Sequence, residues 1–130
     1  MSTHDKWATP DYVVQAMMDI IEPALSPSVY WLEPSAGDGA IVRGLVYAGV
    51  SPKMICAIEQ DPAMAAHHSY PRMGVKVHCA NFLTWNPPHR NMMGVANPPF
   101  TGTQTLQHIE ATCSMACARF IRRTSGGFAI

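Results

Sequence analysis

The sequence predicts an α/β fold, a doubly wound and mostly parallel sheet with helices on both faces. Three observations carry that expectation. Short apolar runs alternate with amphipathic ones along the chain, the order that βαβ units impose. The apolar runs are continuous rather than alternating, as strands covered on both faces require. The unusual motifs all fall where an apolar run ends, and ligands of such sheets bind at the carboxyl ends of the strands. A chain of 130 residues suits a single domain, residues 1–130, and its 48% hydrophobic content is ordinary for a globular core.

The elements follow in order. Thr9-Pro10-Asp11 reads as a helix start, with Thr9 as cap and Pro10 at the first helical position. Val13, Val14, Met17, Ile20 and Ile21 then repeat at helical spacing, which predicts a helix over about 10–22 that ends before Pro23. "VYWLE", residues 29–33, is a first strand, and Ile41, Val42, Leu45 and Val46 form one face of a helix that exits at Gly49. "MICAIE", residues 54–59, is a second strand, followed by a short helix from about Pro62 to His68. "VKVHC", residues 75–79, and "MMGVA", residues 92–96, are a third and a fourth strand. Leu106, Ile109, Cys113, Ala116 and Phe120 mark a further amphipathic helix, and "GGFAI", residues 126–130, begins a fifth strand.

Composition excludes several classes. No apolar run approaches the roughly 20 residues of a membrane span, and "MSTHDKWATP" has no signal-peptide pattern, so the expected location is cytoplasmic. Nine basic residues balance nine acidic ones, which argues against a strongly basic nucleic-acid surface. Arg119, Arg122 and Arg123 cluster, and read as a solvated helix end. Cys56, Cys79, Cys113 and Cys117 show no CxxC spacing. Cys113 and Cys117 would share a helix face, but no matching His or Cys pair follows, so no metal site is expected.

The chemistry gathers in four motifs. The first strand ends in "EPSAGDG", where Gly37 and Gly39 let the backbone turn sharply and lie close to a ligand. The GxGxxG spacing is missing, and Glu33 and Asp38 would repel a phosphate; these carboxylates suit a cationic ligand better. The second strand ends at Glu59, placed to accept two hydrogen bonds from a ribose diol, while Asp61-Pro62 behind it caps the next helix. The third leads to "CANFLTW", where Asn81 can bond an adenine edge and Phe82 can pack on its face. The fourth runs into Asn97-Pro98-Pro99-Phe100, where two prolines rigidly present an amide and an aromatic ring. Each piece alone also has a plain structural meaning: a glycine-rich turn, a surface carboxylate, a turn with a core aromatic, a stiff turn.

Taken as an ordered set, "TPDYVVQAM", "EPSAGDG", "AIEQD", "ANF" and "NPPF" resemble the class I S-adenosylmethionine-dependent methyltransferases, and within them the N6-adenine DNA methyltransferases. The resemblance runs from about Trp7 to Ile130 and implies a Rossmann-like domain. It implies that Thr9 and Pro10 touch the methionine end of the cofactor. Glu33, Ser35, Ala36, Gly37 and Gly39 would form the loop around its methionine and ribose, and Glu59 would hold the ribose diol. Asn81 stands where the family usually has Asp accepting the adenine amino group, and Phe82 matches the adjoining aromatic. Asn97, Pro98, Pro99 and Phe100 would form the catalytic set. The Asn97 side-chain oxygen and the Pro98 carbonyl would grip the two protons of an adenine N6 and localise its lone pair. Phe100 would stack on the base, worth roughly 1–3 kcal/mol, and a base in duplex DNA would have to be flipped out.

Asn86-Pro87-Pro88 repeats the first three residues, but no apolar strand delivers it and His89 replaces the aromatic. It reads as a loop. The resemblance also implies seven strands in a full domain, so this chain is expected to stop inside the fifth. DNA contacts are then expected from a recognition subunit or from a missing C-terminal region. Rival readings are the same fold acting on RNA adenine or protein glutamine, and a non-catalytic remnant or cofactor-binding subunit.

Overall fold

The computed structural model describes residues 8–88 and 92–97, together with the strand backbone at 122–124 and 127–129. Four strands, β1 (Tyr30–Glu33), β2 (Ile55–Glu59), β3 (Val77–Cys79) and β4 (Met92–Gly94), form one sheet in the order β3-β2-β1-β4. All three pairings are parallel. The chain builds outward from β1 through β2 to β3, then returns to place β4 on the other side of β1. The crevice between β1 and β4 is therefore the switch point at which open α/β sheets bind ligands.

Strands β1, β2 and β4 are buried on both faces, as their sequence required, whereas β3 at the sheet edge is only half-buried and leaves Cys79 exposed. Trp31, Ile55, Ala57, Met93 and Val95 face one way, into a core completed by Val13, Val14, Met17, Met18 and Ile21 of helix α1 (Asp11–Ile21) and Ile41, Val42 and Leu45 of α2 (Ala40–Tyr47). Leu32, Cys56, Ile58, Met92 and Ala96 face the other way, against Phe82. Burial pushes the Cys56 thiol up, so it stays a neutral, inert core residue.

Local signals held at several ends. After α2, Gly49 takes φ +102°, its N–H donates to the Val46 carbonyl at 3.0 Å, and the Val50 N–H donates to the Leu45 carbonyl at 3.0 Å. That is a glycine-terminated helix end of the Schellman type. Asp61 caps α3 (Pro62–Ala65), its carboxylate accepting from the Ala63 N–H at 3.0 Å.

Other ends differ from expectation. Helix α1 begins at Asp11, with Pro10 rather than Thr9 in the cap position and no side-chain cap. The Pro10 carbonyl itself accepts from Val13 and Val14 at 3.0 and 3.1 Å, so the extended ψ that precedes a helix is set at the proline. The helix expected to run to His68 stops at Ala65, and a separate helix α4 (Ser69–Met73) follows. Pro71 is tolerated there because the third residue of a helix has no internal partner for an amide.

The segment expected as a fifth strand of the parallel sheet does form a strand, β6 (Gly127–Ala129), but it pairs antiparallel with β5 (Arg122–Thr124) in a separate two-stranded sheet. Only two residues separate them, and parallel pairing needs a crossover of a dozen or more. Arg122 and Arg123 thus lie on a strand rather than at a helix end. Arg119 and the helix expected over Leu106 to Phe120, with Cys113 and Cys117, lie outside the described residues. Among the described residues no helix is long and apolar enough to cross a membrane.

The contact of α1 with α2 depends on one missing side chain. A Cβ at Gly44 would lie 2.5 Å from Val14 Cγ1 and 3.2 Å from Met18 Cγ. Met18 can yield, but Val14 is stiff at χ1. Gly44→Ala is therefore expected to lower stability by roughly 1–2 kcal/mol despite the better helix propensity of alanine. Urea unfolding of the two proteins checks it; a more stable variant would show that the helices are not packed this closely.

Candidate functional site

The carboxyl ends of β1 and β2 carry the two acidic residues that the sequence singles out. Side chains alternate along a strand, so Glu33 shares the face of Trp31, and Glu59 that of Ala57, beneath α1 and α2. Glu33 is 1% exposed, yet it bears a carboxyl group. One oxygen, Oε1, accepts from the Ser35 N–H at 2.8 Å and lies 3.4 Å from the Ser35 hydroxyl. Burial dominates, and pushes the Glu33 pKa up to about 8; the Ser35 amide pulls against it, and the Glu59 charge adds to it.

Glu59 is half-buried and holds two loops at once. Oε1 accepts from the Gly37 N–H at 2.9 Å, and Oε2 accepts from the Asp61 N–H at 2.7 Å. Each oxygen keeps a further lone pair. Gly37 has φ +57°, and a Cβ built there would meet nothing within 4 Å. Open space therefore lies over the turn that Glu59 anchors. Gly39 is the opposite case. Its φ is +88°, and a Cβ would come within 3.0 Å of Ser69 Oγ and 3.3 Å of the Tyr70 ring. One glycine leaves room outside the loop, and the other lets α4 pack behind it.

The rest of the loop is tied down through its backbone. The Ala36 N–H donates to the Ile58 carbonyl at 2.9 Å, which prolongs the β1–β2 ladder, and the Gly39 N–H donates to the Ala36 carbonyl at 2.9 Å. Asp38 Oδ1 accepts from the Ala40 N–H at 3.1 Å at the start of α2. Tyr70 donates its hydroxyl to the Gly37 carbonyl at 2.6 Å, and Ser69 donates to the Asp38 carbonyl at 2.7 Å. Arg43 Nη1 reaches the same Asp38 carbonyl at 3.1 Å. Sequence reasoning did not find Ser69, Tyr70 or Arg43. Pro71 in a first turn with Gly74 at the exit was the signal that could have placed α4.

The fold thus brings Glu33, Ser35, Ala36, Gly37, Gly39 and Glu59 into one bonded unit. Asn81 follows β3 at the same end of the sheet, where the Ala80 N–H donates to the Glu59 carbonyl at 3.1 Å. Its side-chain oxygen accepts from the Leu83 N–H at 3.0 Å and caps a 3-10 turn, Phe82–Thr84. Phe82 is 5% exposed and sits in the core beneath β1, β2 and β4. Asn97 follows β4 across the switch point and is half-buried. Thr9 and Pro10 lie before α1, and no hydrogen bond links them to the loop among the described residues. Pro98, Pro99 and Phe100 lie outside the described residues. No group of three or more His, Cys, Asp or Glu that could hold a metal ion occurs among the described residues.

No protein-family model matches the chain, and no curated protein matches its sequence. Its fold is shared with solved methyltransferase structures. The 23S rRNA methyltransferase ErmE superposes with a TM-score of 0.71 at 17% identity, over 92% of this chain and 49% of that one. A Pyrococcus horikoshii protein assigned as an RNA methyltransferase gives 0.68 at 15% identity, over 94% and 65%. An Escherichia coli protein assigned as a methyltransferase, yhhF, gives 0.67 at 19% identity, over 90% and 71%. The chain therefore spans about half of ErmE and about two thirds of the second structure, and its fold is the Rossmann-like one of these enzymes.

The buried Glu33 carboxyl has a measurable consequence. Its pKa rises from 4.5 to about 8 in the folded state, so between those values the folded chain binds more protons than the unfolded one. Its contribution is most favourable below about pH 4.5 and is lost as pH rises toward 8, by up to roughly 5 kcal/mol. Glu33→Gln cannot ionise. The stability of wild type relative to Glu33→Gln, from urea midpoints between pH 5 and 8.5, is expected to fall steadily with pH. A flat difference would mean that Glu33 is ionised and solvated throughout.

Proposed function

We propose that this chain carries the cofactor-binding half and acceptor motif of an S-adenosylmethionine-dependent methyltransferase that acts on the N6 amino group of adenine in DNA. The observation that carries it is the meeting of three features at one end of one sheet. They are a glycine loop anchored by Glu59, a buried carboxyl at Glu33, and Asn97 across the β1–β4 switch point. The likeness to methyltransferase folds supports the reading.

The residues present fit the cofactor. The open space at Gly37 lies beside Glu59, whose remaining lone pairs suit a ribose diol. Two carboxyl groups and no described basic side chain bonded to them suit a cation and not a phosphate. S-adenosylmethionine, when bound, supplies an already activated methyl group on a sulfonium. Glu33, Ser35, Ala36, Gly37 and Gly39 would hold its methionine and ribose part, with Thr9 and Pro10 toward the methionine end. Asn81 and Phe82 would border the adenine, although the Asn81 oxygen already serves the Leu83 amide and Phe82 is largely turned into the core.

On the acceptor side the work is positioning. Asn97 would accept one N6–H bond through its side-chain oxygen, and the Pro98 carbonyl the other. Localising the lone pair makes N6 a nucleophile toward the methyl carbon, and the surplus N6 proton leaves to solvent. The prolines hold the acceptors rigid, so alignment costs little at the moment of reaction. Phe100 would stack on the base. DNA contacts would come from a partner subunit or from further chain.

A second reading keeps every residue and changes the nucleic acid. ErmE is named as an rRNA enzyme, and the Pyrococcus horikoshii protein is assigned to RNA, which favours RNA adenine as the alternative.

Transfer from labelled S-adenosylmethionine to unmethylated DNA, RNA and protein, with modified units identified by mass, tests the reading. The expected product is N6-methyladenine in DNA, reduced at least a hundred-fold in Asn97→Ala. N6-methyladenine in RNA alone would move the substrate to the second reading, and methylglutamine would overturn both. Binding has its own signature. A cation settling near Glu33 lowers its raised pKa, so binding at pH 7 is expected to release protons. Calorimetry in buffers of different ionisation enthalpy reads this, and Glu33→Gln should abolish the buffer dependence.

A further inference from the structure

The glycine loop is gripped from behind by a helix that the sequence motifs do not include. Ser69 is 6% exposed and Tyr70 is 1% exposed. Their hydroxyls donate to two successive carbonyls, Asp38 at 2.7 Å and Gly37 at 2.6 Å. His67 Nδ1 lies 2.9 Å from the Ser69 hydroxyl and 3.2 Å from the Ser69 N–H, which places it behind Ser69. Two structural facts make this more than packing. Gly39 has no side chain, and a Cβ there would strike Ser69 and the Tyr70 ring. Both hydroxyls choose backbone oxygens of the loop rather than each other. Burial pushes the Tyr70 phenol up, so its proton stays available to donate.

The geometry has a directional consequence. A trans peptide unit is planar, with its C=O and N–H pointing in opposite directions. When Tyr70 holds the Gly37 carbonyl, the Asp38 N–H must therefore aim away from α4. When Ser69 holds the Asp38 carbonyl, the Gly39 N–H must aim the other way too, and it is found on the Ala36 carbonyl at 2.9 Å. The N–H groups of Ser35, Ala36, Gly37, Gly39 and Ala40 all have acceptors. The Asp38 N–H has none among the described residues. It belongs to the turn where the space beside Gly37 is open.

We propose that Tyr70 and Ser69 are positioning residues of the cofactor loop: by holding the Gly37 carbonyl Tyr70 aims the Asp38 N–H at an acceptor atom of the bound ligand, and Ser69 steadies the peptide that follows. This rests on the cofactor reading given above, and the ligand probed is S-adenosylmethionine. Neither side chain touches the ligand; both act through the loop peptide.

The test compares the wild-type chain with Tyr70→Phe, Ser69→Ala and the control Tyr47→Phe, whose tyrosine is 87% exposed. S-adenosylmethionine affinity is measured by calorimetry well below the melting temperature, and ligand-free melting is recorded alongside. The amide signal of Asp38 is followed with and without ligand. Tyr70→Phe keeps the ring in the core and is expected to weaken binding about five- to ten-fold, as loss of one hydrogen bond predicts. It should also reduce the ligand-induced shift of the Asp38 amide, while Tyr47→Phe changes neither. Should Tyr70→Phe fail to fold, Ser69→Ala is expected to reduce affinity and the Asp38 shift in the same direction but less, because Arg43 still holds the Asp38 carbonyl. Lower melting with unchanged affinity and an unchanged Asp38 shift would overturn the inference alone and leave a purely structural contact. No binding by the wild-type chain would overturn the cofactor reading, and the inference with it.

Discussion

One carboxylate makes the end of this sheet into a single object. Glu59 accepts from the Gly37 amide on one side and from the Asp61 amide on the other. Without it, the turn after β2 would lose its side-chain tie to the loop after β1, which would be left to the Ala36 amide and to Ser69 and Tyr70. With it, the two carboxyl ends move together, and the ladder continues into the loop through the Ala36 amide on Ile58. Bonds to an ionised acceptor are roughly twice as strong as neutral ones. A loop fixed this way needs little ordering afterwards, so binding at it would cost little conformational entropy.

That arrangement gathers like charges, and the fold handles them in different ways. Glu59 stays half-buried and satisfied by two amides. Asp38 spends one oxygen at the start of α2, where a helix N-terminus favours negative charge. Glu33 is enclosed almost completely, and burial drives it toward the neutral acid. A neutral carboxyl beside other acidic groups is held away from its preferred charge state, a common property of functional sites. The free-energy cost is met by the two apolar clusters on either face of the sheet, which bury Trp31, Leu32, Leu45 and Ile58.

Much of this was legible in the chain, and the failures are instructive. Gly49 and Asp61 act within a few residues of themselves, so their roles as helix exit and helix cap could be read directly. Gly37 and Gly39 were legible as turn glycines, but not as different ones: the first leaves open space, and the second admits α4, which is a property of what lies opposite. Helix α4 was missed because Pro71 reads as a helix breaker until its place in the first turn is known. Strand β6 was recognised as a strand, but its partner was not, because pairing depends on the two-residue spacing to β5 rather than on its own composition. Phe82 was legible as an aromatic beside the crevice, whereas its depth of burial needed Leu32, Ile58 and Met92 around it.

By itself the sequence determined the four strands of the parallel sheet, helices α1 and α2, and the location of its acids, glycines and Asn97 at the strand ends. Those features follow from local rules: hydrophobic period, turn chemistry and backbone sterics act within a few residues. Tertiary structure decided the order β3-β2-β1-β4, the protonation of Glu33 and the grip of Ser69 and Tyr70 on carbonyls 31 and 33 residues away. These depend on which distant atoms share a low-dielectric interior. No local pattern encodes that until the chain has closed around its core.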